Sequence, residues 1–209
     1  MRLVLIGTEY TGKTTLVDAL MDWGGKHGIL FHLDDHFTIP DKYFLSPEDQ
    51  KAMLGMPPII KERFQRFQIY YHIGVANDYE DCLLGGFHIE EAIYGGRYHY
   101  PGFAWAPYQR KIETELPKDT ILLLLSARPE VIRQRMATAP HDYPVVPSED
   151  IEAVSKEFLV EYGASWIHRK LHIDTSDLTT EGLFNAFMER IKPCLDTHDL
   201  LRWQAIGQK

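Results

Sequence analysis

The chain has 209 residues, of which 44% are hydrophobic and 25% charged, with a formal net charge of −8. Those values suit a single soluble α/β domain with a sizeable core, and they count against a broad basic footprint for duplex nucleic acid. Cys82 and Cys194 sit in no C-x-x-C pair, which argues against a zinc site or disulfide framework and for a reduced, cytoplasmic setting.

Leu3 to Ile6 is a short apolar run ending at Gly7, the pattern of a buried strand and too short for a leader's apolar region. From Lys13 to about Lys26, apolar residues at Leu16, Val17, Leu20, Met21 and Trp23 fall at helical spacing, with Gly24-Gly25 as the expected stop. Ile29 to Leu33 predicts a second strand closed by Asp34-Asp35. A short helix is expected after Ser46-Pro47, and a long one from Pro58, a residue suited to a first turn, to about Leu84. Phe87 to Ile89 reads as the end of a third strand, followed by Glu90-Glu91, and Tyr94 to Trp105 as an aromatic, glycine-rich loop. Tyr108 to Glu115 predicts a helix. Thr120 to Leu125 is the clearest strand, and its apolar run Ile121–Leu125 is far shorter than a membrane span. Pro129 to Ala137 predicts a helix, and Thr138 to Pro147, with its prolines, a mobile loop. Ser148 to Tyr162 predicts a helix capped by Ser148. Leu171 to Ile173 predicts a strand, and Thr180 to Ile191 a helix ended by Pro193.

Strands alternating with helices predict one α/β domain over residues 1–209, a parallel sheet with helices on both faces. Gly7-Thr8-Glu9-Tyr10-Thr11-Gly12-Lys13-Thr14 matches G-x-x-x-x-G-K-[ST] directly after a strand and opening a helix. The fold class expected is therefore a three-layer P-loop NTPase fold with a five-stranded parallel sheet and a lid at about 136–147. Backbone N–H groups of such a loop cradle phosphates at a helix N-terminus. Lys13 is expected to reach the β- and γ-phosphates of ATP, the Thr14 hydroxyl to ligate Mg2+, and Thr15 to continue the binding loop. The base-reading Asn-Lys-x-Asp stretch of GTPases is missing, which leaves small-molecule kinases as the first expectation.

Glu90 follows the expected third strand, where residues of a parallel sheet line the ligand crevice. A carboxylate there can accept the acceptor's hydroxyl proton or hold Mg2+. The stretch Glu90-Glu91-Ala92-Ile93-Tyr94-Gly95-Gly96-Arg97-Tyr98 resembles the E-R-S-x-Y-S-x-R-Y segment of deoxynucleoside kinases and, less closely, the D-R-Y segment of thymidylate kinases. The resemblance implies that Glu90 is the catalytic carboxylate and that Tyr94 and Arg97 contact substrate; Glu91 stands where the family has arginine. Arg66 and Gln68 resemble the family residues that contact a monophosphate and read a base edge, and Glu9 resembles the P-loop glutamate of some thymidylate kinases. The family's carboxylate near the second strand corresponds to Asp34 or Asp35.

Arginines after the fourth strand suit a lid that neutralises transferring phosphate. Arg133 and Arg135 are the catalytic candidates, about 160° apart on an ideal helix, with Arg128 as a third. Phe37, Tyr43, Phe44, Tyr98, Tyr100, Phe103 and Trp105 are candidates for stacking on a base. No H-E-x-x-H pattern occurs, so no zinc site is expected. The expected reaction is phosphoryl transfer to a deoxynucleoside monophosphate or a deoxynucleoside, with a slight preference for the monophosphate. The alternatives are a kinase acting on a modified nucleotide or 5′ end within DNA or RNA, and a non-catalytic nucleotide-binding switch. A small-molecule substrate is the expected partner, nucleic acid is the less favoured one, no membrane is expected, and a homodimer stays open.

Overall fold

Leu3 and Leu5 lie on one face of strand β1 (Arg2–Ile6), and Val4 and Ile6 on the other. β4 (Ile121–Ser126) repeats the pattern, with Ile121, Leu123 and Leu125 opposite Leu122 and Leu124. Strands apolar on both faces must be covered on both faces, and a parallel sheet supplies that cover. The computed structural model describes residues 1–35, 45–102 and 108–206, with only the backbone described for Asp35 and residues 108–110. β1 and β4 join β2 (His32–Asp35), β3 (Cys82–Gly85) and β5 (Arg169–Asp174) in one parallel sheet of order β2-β3-β1-β4-β5. Leu5 pairs in register with Gly85 on one side and Leu123 on the other.

One face is packed by α1 (Lys13–His27), α8 (Thr180–Arg190) and α9 (Thr197–Ile206), through Leu16, Leu20, Leu183, Phe187 and Trp203. The other is packed by α3 (Pro58–Asp78), α4 (Phe87–Tyr94), α5 (Tyr108–Glu115), α6 (Pro129–Thr138) and α7 (Ile151–Ala164), through Ile69, Ile89, Ile112, Ile132 and Phe158. A short helix, α2 (Pro47–Leu54), begins after Ser46, whose hydroxyl accepts from the Asp49 N–H. Among the described residues no helix is long and apolar enough to cross a membrane.

Several boundaries differ from those expected. α1 runs through Gly24-Gly25, because Gly24 is buried against Ile29 and Phe31; the stop is Gly28, in the left-handed conformation. α3 ends at Asp78, and the third strand is Cys82–Gly85, so residues 87–89 open a helix. The sequence Gly85-Gly86 breaks the chain there. Gly86 has φ 72°, and a Cβ on it would lie 1.8 Å from Glu90 Oε2. Only glycine fits that turn. The expected loop after Tyr94 continues instead as a π-helical turn over Gly95–His99, closed by the buried Tyr100. α7 starts at Ile151 after Asp150, so Ser148 is not its cap. α9, which the sequence reading does not include, is capped by Asp196, whose carboxylate accepts from the Asp199 N–H at 2.8 Å.

Candidate active site

β1 is flanked by β3 on one side and β4 on the other, so the chain's connections diverge at its C-terminal end, where open α/β sheets form their ligand crevice. The loop after β1 is pressed into this point. A Cβ on Gly7 would lie 2.2 Å from the Leu125 carbonyl oxygen of β4, so the close approach of loop and sheet requires glycine. The Thr11 hydroxyl donates to the Thr8 carbonyl at 2.7 Å, and the Thr175 hydroxyl donates to the Thr11 carbonyl at 2.9 Å. Thr8 is buried, its hydroxyl 3.1 Å from Ser155 Oγ on α7. The loop is thus braced from β5 and α7 before α1 begins at Lys13.

A cleft of about 490 Å3 opens over this loop. Glu9 through Thr15 line one wall, with Glu90, Tyr94, Arg135, His141 and Thr175 around them. Lys13 Nζ donates to the Gly7 carbonyl at 2.5 Å and forms an ion pair with Glu90. Glu90 is buried, so its charge is held in a low-dielectric site next to its cation. It lies in the first turn of α4, one turn past the Gly86 hinge, and not at a strand end as expected. The hinge folds α4 back so that the carboxylate still reaches the crevice. The Tyr94 hydroxyl stays protonated far above the ordinary phenol range, through burial and the nearby charges of Glu90 and Glu9. It lines the cleft wall as a neutral, buried phenol.

Arg135 extends from α6 to the cleft wall and donates to the Tyr10 carbonyl at 2.8 Å and the Thr175 carbonyl at 2.7 Å. Burial lowers its pKa, opposed by Asp174, and guanidinium remains charged at neutrality. Arg133, two residues away, points elsewhere and pairs with exposed Glu152 at 3.1 Å. The helical twist therefore separates the two arginines, and Arg133 does not line the cleft. Arg128 is likewise engaged, bonding Asp177 with both terminal nitrogens.

The acceptor-side candidates are more dispersed. Asp34, on β2, turns toward α3 with His72 Nε2 at 3.0 Å. Arg66 pairs with Glu62 one turn back on α3, Arg97 pairs with Glu157 on α7, and the Gln68 side chain is half-buried. None of these four lines the phosphate cleft. For Arg66 and Arg97 the reason is a nearer carboxylate. The side chain of Asp35 lies outside the described residues, as do Phe37, Tyr43, Phe44, Phe103 and Trp105. Tyr98 donates to Asp150 at 2.8 Å, and Tyr100 is fully buried, so both pack rather than stack on a ligand.

Of the stretch expected as a lid, about 136–147, residues 136–138 end α6, and 139–147 form an irregular flap bonded to the P-loop. Glu9 Oε2 accepts from the Val145 and Val146 amides, each at 2.8 Å, and the Tyr10 hydroxyl accepts from the His141 amide at 2.8 Å. Glu9 thus faces the flap. His141 and Thr175 were not among the expected residues. Thr175 follows the last strand directly, a position the crevice rule would single out; His141 carries no comparable signal.

The parallel sheet with helices on both faces is shared with solved structures. The chain is similar to the YorR protein from Bacillus subtilis in complex with phosphorylated GDP, at 13% identity and TM-score 0.62, covering 90% of this chain and 94% of that one. It is similar to thymidylate kinase from Candida albicans at 12% identity and TM-score 0.60, over 91% and 90% of the two chains. Deoxyadenosine kinase from M. mycoides with bound dATP matches at 14% identity and TM-score 0.57, over 90% and 98%. At 12–14% identity the likeness is one of fold, and this chain shares the parallel α/β architecture of these proteins. No protein-family model and no curated protein matches the sequence. In this fold the cleft between β1, α4 and residues 139–147 opens at the C-terminal edge of the sheet, with Lys13 and Glu90 paired inside it.

Proposed function

We propose that the protein is an ATP-dependent kinase that moves the terminal phosphoryl group onto a small nucleoside or nucleotide acceptor. One observation carries this reading: Lys13 of the P-loop and the buried carboxylate of Glu90 face each other in a single cleft at the C-terminal edge of the sheet. Lys13 with the loop amides is suited to hold the β- and γ-phosphates. Phosphate oxygens compete with Glu90 for the Lys13 ammonium, so triphosphate uptake frees the carboxylate for the acceptor. With a nucleoside acceptor, Glu90 then receives the proton of the attacking hydroxyl as the new O–P bond forms and the bond to the β-phosphate oxygen breaks; an ionised monophosphate attacks without that proton transfer. Arg135 contributes a positive charge beside the transferring group.

A magnesium ion fits the donors present, because the exposed Thr14 hydroxyl and the Glu90 carboxylate are hard oxygen ligands on the same cleft. When bound, it neutralises phosphate charge. Catalysis in such a site is mostly positioning and electrostatics.

The reading is tested by a radiolabelled-ATP transfer screen over nucleosides, nucleoside monophosphates and short oligonucleotides. Label should move to a nucleoside or a monophosphate, and E90Q should lower turnover by about 10²–10⁴-fold while ATP affinity is kept. Slow hydrolysis alone, insensitive to E90Q, would identify a nucleotide-binding switch instead.

A further inference from the structure

The flap over the P-loop has no lysine or arginine between residues 139 and 147; its one basic side chain is His141. Three contacts fix that residue at the cleft. Its backbone N–H donates to the Tyr10 hydroxyl at 2.8 Å, its ring stacks on Tyr10 with centroids 4.0 Å apart, and its Nδ1 lies 3.3 Å from Glu9 Oε1. Tyr10 adopts a left-handed φ of 64°, a costly backbone for a residue with a large side chain. The strained loop thereby presents the ring on which His141 lies. Glu9 is largely buried, and its second oxygen is occupied by the Val145 and Val146 amides. α1 contributes Lys13, α4 contributes Glu90 and α6 contributes Arg135 to the same cleft, and the exposed Asp142 follows the histidine in the flap.

An imidazole stacked on an aromatic ring, with Nδ1 against a carboxylate, is oriented so that Nε2 can serve a second acceptor. We propose that His141 is the phosphate-binding cation of the flap, held by Glu9 and Tyr10 so that its imidazolium reaches the terminal phosphate of a triphosphate at Lys13. The assignment rests on the kinase reading above. Glu9 is then a positioning residue that acts through His141, and the flap's tie to the P-loop sets where the charge sits. Arg135, bonded to main-chain carbonyls of the P-loop and the loop after β5, belongs to the wall; His141 is carried by the flap.

Calorimetric titration of MgATP and MgADP into wild type, H141Q and H141R tests this. H141Q should weaken MgATP roughly tenfold, the size of one charged hydrogen bond, and MgADP by less than about twofold. H141R should restore MgATP affinity. Equal losses for both nucleotides, no loss in H141Q, or a failure of arginine to restore affinity would each overturn the assignment. If wild type takes up neither nucleotide, the kinase reading falls with it; if it binds both and H141Q matches it, only the role of His141 falls.

Discussion

Lys13 and Glu90 form an ion pair in which the carboxylate is buried and the ammonium is mostly so. Removing one partner leaves the other charge uncompensated, which costs more than an exposed pair would. K13A is therefore expected to lower phosphoryl transfer by about 10²–10³-fold and to lower thermal stability as well, because Glu90 loses its cation; labelled-ATP transfer and a melting curve read the two effects separately. Glu91, next in the chain, behaves differently. Burial raises its carboxyl pKa from 4.5 to about 8, helped by Glu62 and opposed by His99. Between those two pH values the folded protein keeps a proton that the unfolded chain has released. Stability is thus full below the ordinary glutamate range and falls as pH rises toward about 8. E91Q keeps the shape without a proton to lose. Urea midpoints from about pH 5 to about pH 9 should fall in wild type relative to E91Q; a constant difference between the two would contradict the assignment.

At the scale of elements, the turn from β3 into α4 decides where the chemistry sits. Gly86 at φ 72° and Phe87 at φ 52° reverse the chain within two residues, and Glu90 returns into the space a side chain at position 86 would fill. G86A should cost at least about 1–3 kcal/mol from backbone strain alone, and it should also displace Glu90, so turnover should drop even at temperatures where the variant stays folded. Turnover equal to wild type in a folded G86A protein would show that the hinge does not set the carboxylate. Behind this turn, His88 Nε2 meets Glu113 at 2.9 Å with both side chains fully buried. Burial pushes the Glu113 carboxyl up, but the His88 contact and the Trp166 amide hold it below the ordinary range. This pair and the Trp166 amide tie α4 to α5 and to the segment before β5, and so hold the helix that carries Glu90 from its far side.

At the scale of the molecule, the sheet separates two apolar cores, and α9 closes one of them with Trp203 tilted against Trp23 at 5.0 Å. Arg202 of α9 donates to Asp81 at 2.6 Å, just before β3, so the last helix is fixed to the strand that leads to the site. L123A, in the central strand β4 and fully buried, should lower unfolding free energy by about 2–5 kcal/mol with little change in the KM for ATP in the folded fraction. Saturating MgATP should raise the melting temperature of wild type, since a ligand at 100 times its Kd adds about 2.7 kcal/mol. The same addition should shift K13A far less.

Much of the layer order was legible from alternating apolar strands and capped helices, because burial on both faces of a parallel sheet leaves a strong sequence pattern. The P-loop was legible for a stricter reason: its glycines and Lys13 are bound to fixed spacing by the need to wrap a phosphate chain before a helix starts. The true position of β3 was hidden, because a short strand, a two-glycine hinge and an apolar helix read together as one continuous apolar stretch. Which arginine reaches the cleft was also beyond the sequence. Arg135 and Arg133 have the same chemistry, and only the rotation of α6 against the P-loop separates them. The same holds for Glu9 and His141, which lie far apart in the chain and meet through the folding of the flap. Local pattern and covalent spacing set what can form; partners distant in sequence are chosen by packing, which no single stretch of chain encodes.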